Sequence, residues 1–309
     1  MDVSVIVPTI NASGVIGKLA ASCFSQKYED GTPVSAEVIV IDSSSSDNTV
    51  EIANSLGCKT IVIPVSEFNH GGSRNLAESM ASGRVLMFMT QDAMPVNDML
   101  FAALLKPLDD PLTAAAFARQ VPRMDANPVE YFSRTFNYPD TRMVKSKDSI
   151  GLLGIKTFFF SNVCSAIKRD AFTEAGGFQS VIMNEDMMLS SKLILSDYKV
   201  VYEPLAIVYH SHNFSLIKQF KRHFDIGVSL KENNLLNYVR PDGEGLRYFV
   251  SGVRHFLNDN QRPTHKFFWL MYFVLQTIFR FIGYSAGIRY DKISKPLRKR
   301  LSGHPSYFK

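Results

Sequence analysis

Between residues 3 and 92 the chain alternates short, continuously apolar runs with stretches of about a helix length, and few folds accommodate that rhythm. The runs are "VSVIVP" (3–8), "AEVIVID" (36–42), "KTIVIP" (59–64) and "RVLMFMTQD" (84–92). Helices are predicted between them near 13–26, 47–55 and 71–82, and a further one over 97–106. Strands that are apolar at every residue rather than every second one are buried on both faces, as in a mostly parallel sheet covered by helices. The fold class is therefore α/β. In such sheets ligands sit beyond the carboxyl ends of the strands. Each run here ends in a polar cluster: Pro8 and Thr9, then Asp42, then the turn "EFNHGGSRN" (67–75), then Gln91 and Asp92. These clusters are expected to converge on one cleft.

With 309 residues, 46% hydrophobic and 20% charged, the chain can bury a full core. The expected organisation is a catalytic domain over 1–225 and a smaller helical region over 226–309. The three cysteines, Cys23, Cys58 and Cys164, are far apart and lack CxxC spacing, so neither a disulfide framework nor a zinc site is suggested and a reducing cytoplasm fits. The start "MDVSVIVPTI" lacks the basic residues and long apolar core of an export signal. The formal net charge of +5 is matched by "RYDKISKPLRKR" (289–300) alone, with six basic residues and one acidic. An electrically balanced body argues against a broad nucleic-acid surface, whereas a compact basic tail suits anionic lipid headgroups.

Each polar cluster has a chemical and a bland reading. In "IDSSSSDNT" (41–49), Asp42 ends a buried strand and faces the cleft, while Ser44 and its neighbours read equally well as a loop before a capped helix. In "FMTQDAMP", Asp92 can hold a hard cation that in turn holds a diphosphate, because Mg²⁺ takes few protein carboxylates; alone it reads as well as a helix cap. In "NEDMMLSSKL", Glu185 and Asp186 open a helix, where backbone N–H groups can hold a carboxylate at the cleft or merely favour acidic residues. The phosphate-loop lysine motif and the GxGxxG fingerprint are both absent, which excludes an ordinary NTPase or dehydrogenase.

The order "VSVIVPTIN", "VIVIDSSSSDNT", "FNHGGSRN", "TQDAMP", "NEDMMLSSKL" resembles the family 2 glycosyltransferases, inverting enzymes of the GT-A fold that use nucleotide sugars. The FNHGGSRN turn and the TQDA motif are similar to those of bacterial rhamnosyltransferases that use dTDP-L-rhamnose in O-antigen and surface polysaccharide synthesis. The resemblance implies a nucleotide-sugar site at Pro8, Thr9, Asp42, Ser44, His70, Gly71, Arg74, Asn75, Gln91, Asp92 and Glu185. Asp42 would accept the imide N–H of the donor's pyrimidine. Arg74 and Asn75 would hold the nucleotide, with Gly71 allowing close approach. His70 reads either as a donor contact or as a structural histidine. Asp186 would be the base that removes the acceptor hydroxyl proton. The family's DxD metal motif is here Gln91-Asp92-Ala93, with one carboxylate; Asp92 is the candidate ligand for Mg²⁺ or Mn²⁺, and His210 and His212 of "VYHSHN" could join it or simply end a core strand.

The implied partners are a nucleotide-sugar donor, dTDP-L-rhamnose, and a lipid-linked glycan acceptor. Another pyrimidine-diphosphate sugar such as a UDP-hexose, or nucleotidyl transfer, remains the alternative. The stretch 264–290 is the most apolar in the chain, and at about 1.5 Å per residue would nearly span a bilayer. Tyr272, Gln276, Arg280, Gly283 and Gly287 make a polar stripe along it. A helix lying in the inner membrane interface, with the basic tail beside it, is one reading; packing against the catalytic domain or a second subunit of a homodimer is the other. The implied location is the cytoplasmic face of the cell membrane.

Overall fold

A computed structural model describes residues 2–239, 242–258 and 262–308. The first half runs β1 (Val3–Thr9), α1 (Ile16–Phe24), β2 (Ala36–Asp42), α2 (Thr49–Ser55), β3 (Lys59–Val62), α3 (His70–Glu78), β4 (Val85–Met89), β5 (Met94–Pro95), α4 (Leu100–Leu105) and β6 (Thr113–Val121). Then come α5 (Pro128–Asn137), β7 (Met143–Lys145), α6 (Ile150–Leu153), β8 (Cys164–Lys168), α7 (Arg169–Glu174), α8 (Glu185–Leu195) and β9 (Lys199–Tyr209). The carboxyl-terminal part is helical: α9 (Leu216–Glu232), α10 (Asp242–Asn258), α11 (Pro263–Gly287) and α12 (Lys295–Leu301). The expected boundary at residue 225 falls inside α9.

Strand order in the sheet is β3-β2-β1-β4-β8-β6-β9-β5, with β7 also on β9. The four amino-terminal strands are parallel, as their unbroken apolar runs require. Successive residues then feed two cores. Val3, Val5, Val7, Val38 and Val40 pack under α1 and α4 on one face, while Ile6, Ile39, Ile41 and Phe88 pack with α3, α7 and α8 on the other. β8 enters antiparallel between β4 and β6, so the sheet is mixed.

Register decides what meets at the edge of this sheet. Thr9 lies level with Asp42, so the loops after β1 and β2 leave side by side. At the far side Met94 of β5 pairs antiparallel with Tyr209 of β9, which brings Asp92, just before β5, beside His210 and His212, just after β9.

α11 packs along α9 with the two backbones nearly touching. A Cβ at Gly227 would lie 2.6 Å from the Tyr284 carbonyl oxygen, and one at Gly283 would lie 2.3 Å from that of Phe220. This packing decides which way the polar stripe faces. Gln276, Gly283 and Gly287 are buried against the protein and Arg280 donates to Tyr248 Oη at 2.9 Å. The outward face is apolar instead, with Phe267, Phe268, Met271, Leu275, Ile278, Phe281 and Ile282 exposed.

Candidate active site

The loops beyond β1, β2, β3 and β4 enclose a cleft of about 220 Å³. Of the residues singled out in the sequence, Pro8, Thr9, His70, Arg74 and Gln91 line it. Gln91 ties the first loop to the fourth, because its Oε1 accepts from the Ile10 N–H at 2.9 Å and its Nε2 donates to the Ile10 carbonyl at 3.2 Å. Ile10, Ser43, Val65, Phe68 and Thr90 also line the cleft, and none was singled out. Ser43 was not legible: with Asp42 read as facing the cleft, alternation along the strand points Ser43 away from it.

Asp42 is buried behind this wall. Its carboxylate accepts from Thr9 Oγ1 at 2.9 Å, from the Ser45 N–H at 2.7 Å and from Ser45 Oγ at 2.5 Å. It organises the loops that reach the cleft and does not itself line it. Ser44, with φ of 55°, donates its hydroxyl to the Ile63 carbonyl at 2.8 Å and holds the second loop to the third.

The FNHGGSRN turn begins α3. Asn69 caps that helix, accepting from the N–H groups of Gly71 and Gly72 at 3.0 and 2.8 Å. Gly71 faces protein rather than the cleft: a Cβ there would sit 2.6 Å from the Gln179 carbonyl oxygen. Asn75 holds the loop before α8, donating to the Phe178 carbonyl at 2.8 Å and accepting its N–H at 3.0 Å. Arg74 is buried and pairs with Glu185 at 3.1 Å, and it donates to the His70 carbonyl at 2.7 Å. Among the described residues, the buried Arg74 Nε has no hydrogen-bond partner. The His70 ring sits edge-on to Phe68, and burial pushes its imidazole down to about 4, so it is neutral near pH 7.

Glu185 and Asp186 open α8 behind Asn184, which takes the left-handed conformation with φ of 64°. Their environments differ. Glu185 is buried against Arg74 and accepts from Asn162 Nδ2 at 3.3 Å. Asp186 is half-buried and accepts the Asn162 N–H at 3.1 Å and the Met187 N–H at 2.8 Å. Burial, reinforced by the neighbouring Glu185, pushes Asp186 up to about 7. A carboxyl group poised there can take up a proton near neutral pH.

Asp92, His210 and His212 present one ligand atom each within 4.8 Å of one another. Nε2 of His210 and of His212 lies 3.6 and 3.4 Å from the Asp92 carboxylate. Gln120 completes the arrangement. Its Oε1 lies 3.0 Å from His210 Nδ1 and accepts from Arg134, and its Nε2 donates to Tyr138 Oη at 2.6 Å and Ser161 Oγ at 2.9 Å. With no proton to give from Oε1, Gln120 selects the tautomer that leaves the His210 Nε2 lone pair facing Asp92. Burial pushes His210 down to about 3 and also lowers His212, so both imidazoles are neutral, as ligation requires. One carboxylate oxygen and two imidazoles fit a divalent cation. Gln120 went unnoticed in the sequence, although it is a polar residue near the end of an apolar strand.

Residues 4–176 match the family model described as glycosyl transferase family 2. The chain belongs to that family. This glycosyltransferase is 36% identical to the O-antigen chain rhamnosyltransferase RfbN of Salmonella typhimurium over all of its own length and 96% of the relative's. It is 35% identical to the O-antigen chain rhamnosyltransferase WbaN of Salmonella anatum, covering 99% of this chain and 95% of that one. Among solved structures it is similar to a mannosyltransferase from Pyrobaculum calidifontis determined with GDP-Man and Mn²⁺, with a TM-score of 0.63 at 17% identity over 94% and 87% of the two chains. The glycosyltransferase thus has the GT-A fold, with a helical extension that the two Salmonella enzymes match along its whole length.

Proposed function

We propose that this glycosyltransferase transfers L-rhamnose from dTDP-L-rhamnose to a lipid-linked oligosaccharide at the cytoplasmic face of the membrane, during bacterial O-antigen or surface polysaccharide synthesis. The observation that carries this is the likeness to two O-antigen chain rhamnosyltransferases, which extends past the family domain through the carboxyl-terminal helices.

In this reading the cleft beyond β1–β4 takes the nucleotide. Thr9, Ser43 and Gln91 face the base and ribose, with Asp42 fixing Thr9 from behind. Arg74, which lines the cleft, would meet the donor there. Asp92, His210 and His212 would hold Mg²⁺ or Mn²⁺, which when bound offsets the charge on the diphosphate. Asp186 removes the proton of the acceptor hydroxyl as that oxygen attacks the anomeric carbon from the face opposite the diphosphate. Its raised affinity for protons matches it to this task, since the base must gain a proton as the new bond forms. The exposed apolar face of α11 would rest in the membrane interface, with the exposed Lys292, Lys295, Lys299 and Arg300 near anionic headgroups. One helix among the described residues, Pro263–Gly287, is long and apolar enough to cross a membrane, but its buried polar stripe favours lying along the surface.

The donor assignment is tested by thermal melting with a panel of sugar nucleotides. dTDP-L-rhamnose and dTDP should raise the melting temperature most. A clear preference for UDP-hexoses would remove the rhamnosyl reading.

A further inference from the structure

The last residues of the chain do more than follow α12. Ser302 is buried, and its hydroxyl donates to Asp225 Oδ1 at 2.6 Å; the Gly303 N–H donates to Asp225 Oδ2 at 2.8 Å. Asp225, on α9, is wholly buried, so each of its carboxylate oxygens is satisfied by the tail. The His304 N–H closes the turn on Ser302 Oγ at 2.8 Å. Beyond it, Tyr307 Oη donates to Glu232 at 2.6 Å, and Phe308 is buried against Phe224 and Tyr290. His304 is therefore clasped on both sides. Its ring meets that of His70 edge-on, with centroids 5.6 Å apart and planes at 86°. On its other side His70 meets Phe68 at 5.0 Å and 76°. Phe68 and His70 both line the cleft.

We propose that the carboxyl-terminal tail is part of the nucleoside-diphosphate-sugar site, with His304 as a positioning residue that holds the His70 imidazole against the bound donor. The inference rests on the reading of the cleft as the donor site. A chain that places a buried carboxylate on α9 to anchor its terminus, and then spends the anchored turn on a ring contact with His70, couples the helical extension to donor binding. Edge-to-face ring pairs restrict rotamers, so losing this one frees His70 rather than unfolding the site.

The test uses the full-length protein and isothermal titration with dTDP, and separately with UDP. His304→Ala should weaken binding of the preferred nucleotide by roughly 3- to 10-fold, the span set by the strength of one aromatic pair. It should raise KM for the sugar nucleotide while leaving kcat within about twofold. His304→Phe, which keeps a ring edge-on to His70, should recover most of that loss, and His304→Ala should add nothing in a His70→Ala background. Wild-type affinity in His304→Ala would overturn the proposal, as would equal loss in the Ala and Phe variants with a lowered melting temperature of the free protein, the mark of a purely structural tail. If the wild type binds neither nucleotide, the donor-site assignment falls and takes the inference with it; binding of UDP over dTDP removes only the rhamnosyl reading.

Discussion

Two adjacent carboxylates at the start of α8 have separate work. Glu185 is paired with Arg74 in a buried ion pair, whereas Asp186 accepts the backbone N–H groups of Asn162 and Met187 and has a proton affinity raised to about 7. Asp186→Asn should therefore lower turnover by about 10²–10⁴-fold and leave the affinity for dTDP, measured by titration, nearly unchanged. The same shift sets a pH dependence. A base works only when deprotonated, so if Asp186 is the base, as proposed, turnover should rise with pH through about 7 and then level off. The sign for stability is opposite: the fold favours the protonated form, so ionisation opposes folding as pH rises, and Asp186→Asn should melt no lower than wild type at pH 8. Glu185→Gln acts differently, because it strands a buried guanidinium. It should destabilise by about 3–5 kcal/mol, read in a denaturant titration, before any effect on chemistry is judged. Asp92→Asn should abolish stabilisation by Mn²⁺ or Mg²⁺ in a melt that contains dTDP.

At the scale of elements, what the sequence made legible followed from local pattern. β1 to β4 are near where their apolar runs place them, and the polar residues after them do gather at one edge, because side-chain alternation and parallel pairing are both short-range consequences of those runs. Two things were hidden. β8 runs antiparallel through the middle of the sheet, a choice made by chain connections rather than by composition. The grouping of Asp92, His210 and His212 was expected from the family resemblance alone, since the pairing of Met94 with Tyr209 that produces it leaves no local sign in the chain. The stripe on α11 was visible as a periodicity, but which side of it faces protein depends on the glycines of α9 and α11 meeting. That contact is testable. Gly283→Leu drives a side chain into the Phe220 carbonyl and should cost about 1–3 kcal/mol or more, seen as a lower melting temperature, while Ile282→Ala on the exposed side should change it little.

The whole molecule is a sheet with a cleft at one edge, braced by a helical extension whose outer face is apolar and whose tail meets His70, a residue that lines the cleft. If that outer face rests on the membrane, Phe267→Ser with Phe281→Ser should reduce binding to anionic vesicles without lowering the melting temperature, since both rings are exposed. Wild-type binding should weaken as salt is raised. Vesicle binding that survives the double substitution, or a change in oligomeric state instead, would assign the face to a second subunit. The central claim concerns the direction of attack: Asp186 serves an acceptor that approaches opposite the diphosphate held at Arg74 and the Asp92, His210 and His212 cluster. The most direct measurement is the anomeric configuration of the product formed from dTDP-L-rhamnose and a lipid-linked acceptor, read by NMR of the new glycosidic carbon. The account predicts a configuration opposite to that of the donor; retention of the donor's configuration would contradict it.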